Sequence, residues 1–292
     1  MDSKMEIKQS TIKAFSYTCL SDCIFQTVVY VIMAITTFLM LFPFYWILIT
    51  AVKPINEIFA FPPKLWPSSF QWGNFVQAMQ ASNFNVYFRN SSIVTACATT
   101  ITVCINLLAG YAFAKYQFAF KNFFFMMVLS TLMIPLQVIM IPNFIIISKL
   151  GLVNTYAGLI FPPCAEAFGL FLSRQFMSEL PNELIESGRI DGASEFCIFR
   201  RIILPNTRSL ISVLIIFTVM WRWNDFQWPL IILSDSKMYT VQVGLAMLNG
   251  VNYVNWNHLM SAALLSIIPV VVVFFIFQKQ FVQGIASTGI KG

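Results

Sequence analysis

A helix of about 20 mostly apolar residues is long enough to cross about 30 Å of hydrocarbon, and this chain carries six stretches of that kind. They run from Ile24 to Ala51, Ser91 to Ala114, Phe123 to Ser148, Tyr156 to Ser173, Thr207 to Leu233 and His258 to Phe277. Pro135 and Pro142 interrupt the third, which a membrane helix tolerates when neighbours re-satisfy the freed carbonyls. Composition excludes the soluble alternative. Of 292 residues 58% are hydrophobic and 10% are charged, against about 25% charged in an ordinary soluble domain. Eighteen basic and 12 acidic side chains cannot cover so much apolar surface in water. The expectation is an all-α integral membrane protein with six transmembrane helices, forming one membrane domain over residues 1–292.

The basic residues orient it. With the N-terminus in the cytoplasm, the inner face holds twelve of them: Lys4, Lys8, Lys13, Lys115, Lys121, Arg174, Arg189, Arg200, Arg201, Arg208, Lys279 and Lys291. The outer face holds five, Lys53, Lys64, Arg89, Lys149 and Lys237, and Arg222 alone stays within a span. An excess of Lys and Arg marks the cytoplasmic side, so both termini are expected inside and the net charge of +6 belongs to a membrane surface, with no nucleic-acid partner. Cys19, Cys23, Cys97, Cys104, Cys164 and Cys197 fall in spans or on the inside, and none has C-x-x-C spacing, so neither a disulfide framework nor a zinc site is expected. The first apolar run has no small-residue cleavage site and reads as a retained anchor. Val52 to Asn90 and Ser234 to Asn257 are the large outer segments, the first with Trp66 and Trp72 as candidate aromatic anchors at the interface.

Chemistry is mostly missing. The single histidine, His258, cannot build a histidine-paired nucleophile or a multi-histidine metal site. No G-x-x-x-x-G-K-S/T loop is present to cradle phosphates, and no pair of intramembrane aspartates suggests a protease. The expectation is a chain without catalytic residues, metal or cofactor of its own. If it moves a solute uphill, the energy is supplied by something else.

One segment departs from the apolar pattern. "ESGRIDGASEFCIFRRIILP", Glu186 to Pro205, concentrates Glu186, Arg189, Asp191, Glu195, Arg200 and Arg201. Its layout over 182–205 is two short helices joined by a turn. "NELIESGR" forms the first, with Leu184 and Ile185 toward the membrane. Asp191 can cap the second and Gly192 frees the turn. Phe196, Phe199 and Ile203 recur on one face of the second. Pro205 opens the next span where its missing N–H costs little. From the residues alone this is equally a solvated amphipathic loop that holds two spans apart.

The segment resembles the E-A-A-x-x-x-G-x9-I-x-L-P loop of the membrane permeases of binding-protein-dependent ABC importers, with Glu186, Gly192, Ile202, Leu204 and Pro205 at matching spacing. "WRWNDFQWPLIILSD", "YTVQVGLAML" and "FVQGIASTGIKG" are likewise similar to segments of maltose-transporter-type, carbohydrate-uptake permeases, so the likeness spans nearly the whole chain. Ser187 and Gly188 stand where the family has two alanines, and Gly costs up to about 1 kcal/mol in a helix. The resemblance implies a type I ABC importer permease of a bacterial inner membrane. Its loop, including Asp191 and Ala193, would be the coupling element seated on a separate cytoplasmic ATPase dimer that binds ATP and Mg. It implies further partners: a second homologous permease, an extracytoplasmic binding protein that the Ser234 to Asn257 loop would meet, and a carbohydrate substrate. The tail after Phe281 would also touch the ATPase.

The remaining candidates lie within spans, where ionisable groups usually face a bundle interior or a wet path. Arg222 and Asp225, three apart, would share a helix face beside Asn224, with Trp221, Trp223 and Trp228 around them. They read either as an internal ion pair or as part of a translocation path. Glu166, in the fourth span, is either a packing hydrogen bond or a pathway group. The Thr- and Ala-rich second span reads as a close-packing helix. The competing class is a self-sufficient channel or ion-coupled carrier, which would call for a chain of intramembrane acids where only Glu166 and Asp225 exist. The topology has a direct check. In a cysteine-free background, Ser68→Cys and Asn249→Cys should react with an impermeant thiol reagent added to sealed cells while Glu195→Cys stays unlabelled; labelling of Glu195→Cys would invert the orientation.

Overall fold

A computed structural model describes the backbone of residues 2–81, 83–248 and 254–288, and side chains over 24–80, 83–248 and 254–279. Its regular elements are helices: α1 Asp2–Val52, α2 Ile55–Ile58, α3 Gly73–Ala81, α4 Phe84–Lys115, α5 Lys121–Ser130, α6 Leu136–Lys149, α7 Tyr156–Ile160, α8 Ala167–Ser178, α9 Glu183–Ile190, α10 Glu195–Ile198, α11 Leu204–Asn206, α12 Arg208–Trp223, α13 Gln227–Ile232, α14 Val241–Leu248 and α15 Trp256–Thr288. They group into two compact units, 1–72 and 73–292.

In the first unit, the apolar part of α1, Ile24–Val52, is long enough to span a bilayer, and the segment after it folds back on its end. Tyr45 donates its hydroxyl to the Leu65 carbonyl at 2.5 Å and the Gln71 N–H reaches the Val52 carbonyl at 2.8 Å. Lys53 is covered, donating to the Lys64 carbonyl, and Lys64 pairs with Glu57 at 2.6 Å. Hydrogen bonds from Lys64 and then Ser68 hold the Glu57 carboxyl at about 2. Trp66 and Trp72, both exposed, flank Phe70 in an aromatic row.

In the second unit, two helices are long and apolar enough to cross unaided, Phe84–Lys115 and Trp256–Lys279. Three bent pairs, each counted as one, bring the chain to up to six spans together with Ile24–Val52 of the first unit: 121–133 with 136–149 at 105°, 156–164 with 167–178 at 45°, and 195–206 with 208–223 at 80°. Several expected boundaries are corrected. The second span begins at Phe84, not Ser91, because the chain turns at Asn83, whose φ is 53°, and the polar first turns of α4 are already helical. The third is two helices, since Pro135 precedes α6 and cannot continue the 3-10 turn Thr131–Met133; Pro142 sits inside α6 without ending it. Pro162 and Pro163 open a 3-10 turn that divides the fourth. The fifth stops at Trp223, and Gln227–Ile232 is a separate helix. Residues 241–248, expected within an open outer loop, form α14, whose Val241 and Val243 are buried and whose Gly244 lies against Tyr87.

The bundle is organised around α4, half buried and packed against α8 and α12. Its contact with α8 is close because small residues meet there: Gly110 lies against Ser173 and Gly169 against Asn106. The reading of the second span as a packing helix holds. Its two ends are tied by polar contacts. At the N-terminal end Asn90 donates to the Lys237 and Tyr239 carbonyls at 2.9 and 3.0 Å and accepts the Tyr156 hydroxyl at 2.7 Å. The C-terminal end holds the charged loop, described below.

A Cβ on Gly110 would stand 2.3 Å from Ser173 Cβ and 2.9 Å from its backbone carbon. Overpacking of this kind costs about 1–3 kcal/mol. Gly110→Ala should therefore lower the thermal unfolding midpoint in detergent, and adding Ser173→Gly should recover only part of the loss, because the Ser173 backbone carbon at 2.9 Å stays in place; an unshifted midpoint in the single variant would contradict this packing.

Candidate functional site

Two places in the second unit gather the candidate residues. The first is a cavity of about 240 Å³ where the helix breaks meet. The start of α6 supplies Leu136, Met140 and Asn143; the break before α8 supplies Pro162, Pro163 and Glu166; the end of α12 and start of α13 supply Arg222, Asp225 and Trp228. Breaking a helix at membrane depth frees carbonyls that lipid cannot satisfy, so such breaks persist where protein or a wet cavity meets them. Arg222 does this here. Its Nη2 donates to the Pro163 carbonyl at 2.6 Å and to the Glu166 carboxylate, with the two side chains only 11% and 14% exposed.

The expected Arg222–Asp225 pair is corrected: Arg222 pairs with Glu166. The physical reason is the end of α12 at Trp223. Asn224 takes a non-helical conformation, so residues 222 and 225 do not share a helix face. Asp225 instead accepts the Trp228 N–H at 3.3 Å, at the start of α13. Glu166 is not inside a continuous span but at the residue before α8, where the proline break turns it toward Arg222.

The tryptophans divide by role. Trp228 is buried and donates its indole N–H to the Gly158 carbonyl at 3.0 Å, and Trp223 is buried with its N–H on the Ser266 carbonyl at 2.8 Å. Trp221 is part exposed, edge-on to Phe168. Asn224 is exposed and accepts from Gln242 at 3.3 Å. Chemically, the cavity offers the Asn143 amide, the Asp225 carboxyl and the Trp228 ring, groups that suit hydroxyls. The one cation among its lining residues is already paired.

The second place is the charged loop, which folds as expected into two short helices, α9 and α10. Gly192 turns the chain with φ at 76° and Asp191 closes α9. Capping of α10 falls to Ser194, whose hydroxyl accepts the Cys197 N–H at 3.3 Å, and not to Asp191, because the left-handed residue places two further residues before α10 begins. Beyond α10 the chain makes a π-helical turn, Phe199–Ile203, then α11 with Pro205 in its first turn. The apolar face differs from the expected one. Ile198, Phe199 and Ile203 go into a core with Ile185, Tyr111, Leu107 and Leu214, while Phe196 stays 69% exposed. Gly188 has a packing reason: its Cβ would come within 2.9 Å of Ile202 Cδ1 and 3.1 Å of Ile198 Cγ1, so it lets the first short helix lie against the second strip of chain. Glu186, Ser187, Asp191, Gly192 and Pro205 are exposed; Ala193, Ile202 and Leu204 are half-buried.

Sequence reasoning missed the contacts that hold this loop. Lys115, in the last turn of α4, donates to the Leu180 carbonyl at 2.5 Å and to Asn182 Oδ1 at 2.9 Å. Tyr116 donates its hydroxyl to Glu195 Oε2 at 2.5 Å, and Arg189 Nε meets Glu195 Oε1 at 2.7 Å. Arg189 and then Tyr116 hold the Glu195 carboxyl below the usual carboxylate range, and burial followed by the Glu195 bond pushes the Tyr116 phenol up. No spacing signal links position 116 to 195; only the fold brings them together. Among the described residues no cluster of His, Cys, Asp and Glu could hold a metal ion. The tail beyond Phe281 lies outside the described side chains, as do residues 249–253 of the second outer segment.

Comparisons with known proteins follow the same lines. Residues 105–287 match the family described as binding-protein-dependent transport system inner membrane component. The sn-glycerol-3-phosphate transport system permease protein UgpE of Pectobacterium atrosepticum is 33% identical over 256 residues, covering 85% of this chain and 91% of that one. The arabinooligosaccharides transport system permease protein AraQ of Halalkalibacterium halodurans is 32% identical over 262 residues, covering 89% and 94%. In structure, a chain of a bacterial ABC transporter involved in the import of the acidic polysaccharide alginate aligns with a TM-score of 0.79 at 21% identity, covering 89% of this chain and 98% of that one, which shows the fold.

The Arg222–Glu166 pair makes a forecast. Removing one partner of a buried pair costs about 3–5 kcal/mol, whereas replacing both with apolar groups is often close to neutral. Arg222→Leu should lower folded yield, and Arg222→Leu with Glu166→Leu should recover the part lost to the unpaired Glu166 charge while the freed Pro163 carbonyl keeps it below the parent, measured by size-exclusion profile in detergent. Rescue by Asp225→Leu in place of Glu166→Leu would show the pairing to be wrong.

Proposed function

The chain belongs to the family of binding-protein-dependent transport system inner membrane components, and on that premise we propose that it is the permease of a sugar or oligosaccharide importer driven by a separate ATPase. Its relatives are named for the transport of glycerol 3-phosphate and of arabino-oligosaccharides. The cargo is delivered by an extracytoplasmic binding protein and passes between this chain and a second, related permease. The cavity at the helix breaks, with Glu166, Trp221, Arg222, Asn224, Asp225 and Trp228 in or beside it, is this chain's contribution to the path. Both termini and the charged loop face the cytoplasm, where a partner ATPase dimer binds ATP and its magnesium.

The observation that carries this reading is the outer surface of the loop. Ile190 is 87% exposed and Phe196 69%, in a segment otherwise rich in charge. Large apolar side chains held outward on a folded, polar element are available for burial against a partner, and the charge around them keeps the contact reversible. Glu186, Ser187, Asp191 and Gly192 share this exposed side; Gly188, Ala193, Ile202 and Leu204 set its shape from beneath. A helical pair already folded before contact transmits rigid-body motion, the usual form of subunit coupling.

Gly192 tests the reading without touching the core, because its φ of 76° is one that L side chains resist, at a cost of about 1–2 kcal/mol. Gly192→Val, or Glu186→Lys on the exposed face, should abolish co-purification of the ATPase subunit and energised uptake while membrane insertion persists. Full co-purification and full uptake in both variants would remove the docking assignment.

A further inference from the structure

The three polar contacts between the end of α4 and the charged loop have no part in the bundle's apolar core, yet they are arranged around both short helices at once. Lys115 holds the entry to α9 through Leu180 and Asn182. Tyr116, the residue that ends α4, holds the first residue of α10 through Glu195. Arg189, in the last turn of α9, reaches across to the same carboxylate. Glu195 is thus an acceptor on α10 shared by the end of α4 and by α9. Tyr116 is also edge-on to Tyr111, 5.5 Å between centroids, and Tyr111 lies 5.4 Å from Phe199, the first residue of the π-helical turn.

We propose that Tyr116, Glu195 and Arg189 form a clamp that makes the docking loop and the second span move as one body, so that displacement of the loop is delivered to α4. They are positioning residues, and the inference rests on the proposed docking of the loop to an ATPase. The physical argument is directional. The apolar contacts of Ile198, Phe199 and Ile203 with α4 and α12 hold the loop near the bundle, but dispersion and hydrophobic burial are non-directional and permit a slide of one helix past another. Hydrogen bonds to a carboxylate are short, directional and about twice as strong as neutral ones. Two of them meet on Glu195, one from Tyr116 at the end of α4 and one from Arg189 of α9, and Lys115 adds two bonds to carbonyl oxygens at the entry to the loop, so the loop cannot turn apart from α4 without breaking them. The alternative is that the loop hangs on the polypeptide at Leu180 and Pro205 and pushes only on its chain neighbours, α8 and α12. Since α4 packs on both of those and reaches Asn90 at the far end, the clamp provides a direct route from the docking surface to the opposite side of the bundle.

The test uses the assembled complex, with its partner permease and ATPase, in a background cleared of cysteines except Cys104 on α4 and an added Arg200→Cys in the loop. Spin labels at the two positions report the loop-to-α4 distance without nucleotide and with ATP trapped by vanadate. With the clamp intact one narrow distance, the same in both states, is expected. In Tyr116→Phe combined with Glu195→Gln the ATPase still co-purifies, and the distance shifts between nucleotide states. Loss of one hydrogen bond to a charged group corresponds to about a tenfold change in the equilibrium between clamped and released loop, enough to populate a second distance. Tyr116→Phe alone keeps the ring against Tyr111 and controls for packing; it should show the second distance at lower population. A distance that changes with nucleotide in the intact clamp, or one that never changes in the double variant, overturns the proposal. Failure of the ATPase to co-purify with the unaltered chain would overturn the docking reading beneath it, and the clamp's coupling role with it.

Discussion

In hydrocarbon a backbone N–H or C=O without a partner costs several kcal/mol, and this constraint governs the rest of the structure. A chain obeying it simply would be six uninterrupted helices. This one breaks at Pro135, at Pro162 and Pro163, and again after Trp223. Each break creates a backbone debt that only protein can meet. The breaks are brought together, so that Arg222 on one closes the Pro163 carbonyl of another and Glu166 neutralises Arg222 in turn. The cavity follows from that convergence, because three elements that stop and turn cannot fill the space that continuous helices would.

The same constraint accounts for the part played by α4. Continuous from Phe84 to Lys115, it is the element against which broken ones can lean. Its small and polar buried face, with Thr95, Ala98, Thr99 and Thr102, lets α8 approach closely at Gly110 and Gly169, and its two ends carry the directional contacts. Asn90 binds three partners at one end; Lys115 and Tyr116 hold the charged loop at the other. Tight packing along the middle and polar anchors at both ends tie α4 to the elements on either side of it.

The loop shows how local chemistry and tertiary demand divide the labour. Gly192 was legible because a left-handed turn residue has a narrow set of occupants, and its φ of 76° agrees. The face of the second short helix differs from the sequence expectation at Phe196, which stays exposed while Ile198 takes the buried place beside Phe199 and Ile203. Gly188 looked like a loss of helical rigidity and is instead the point where Ile198 and Ile202 approach. Propensity weighs a residue against its own helix; the fold weighs it against a neighbour.

The sequence by itself determined the class of solvent, the number of apolar stretches, and the identity and spacing of the charged loop, because each depends on residues adjacent along the chain: hydropathy over a window, or a turn residue between short amphipathic runs. It also marked Glu166, Arg222 and Asp225 as unusual, since a charge in an apolar run needs no coordinates to be noticed. Their partnership was another matter. Whether Arg222 meets Asp225 three residues on or Glu166 across the bundle turns on whether α12 continues past Trp223, and that was decided by how the broken helices pack. The Tyr116–Glu195 contact lay equally beyond sequence reasoning: a tyrosine and a glutamate 79 positions apart carry no mutual signature until the end of α4 and the start of α10 are folded onto one core.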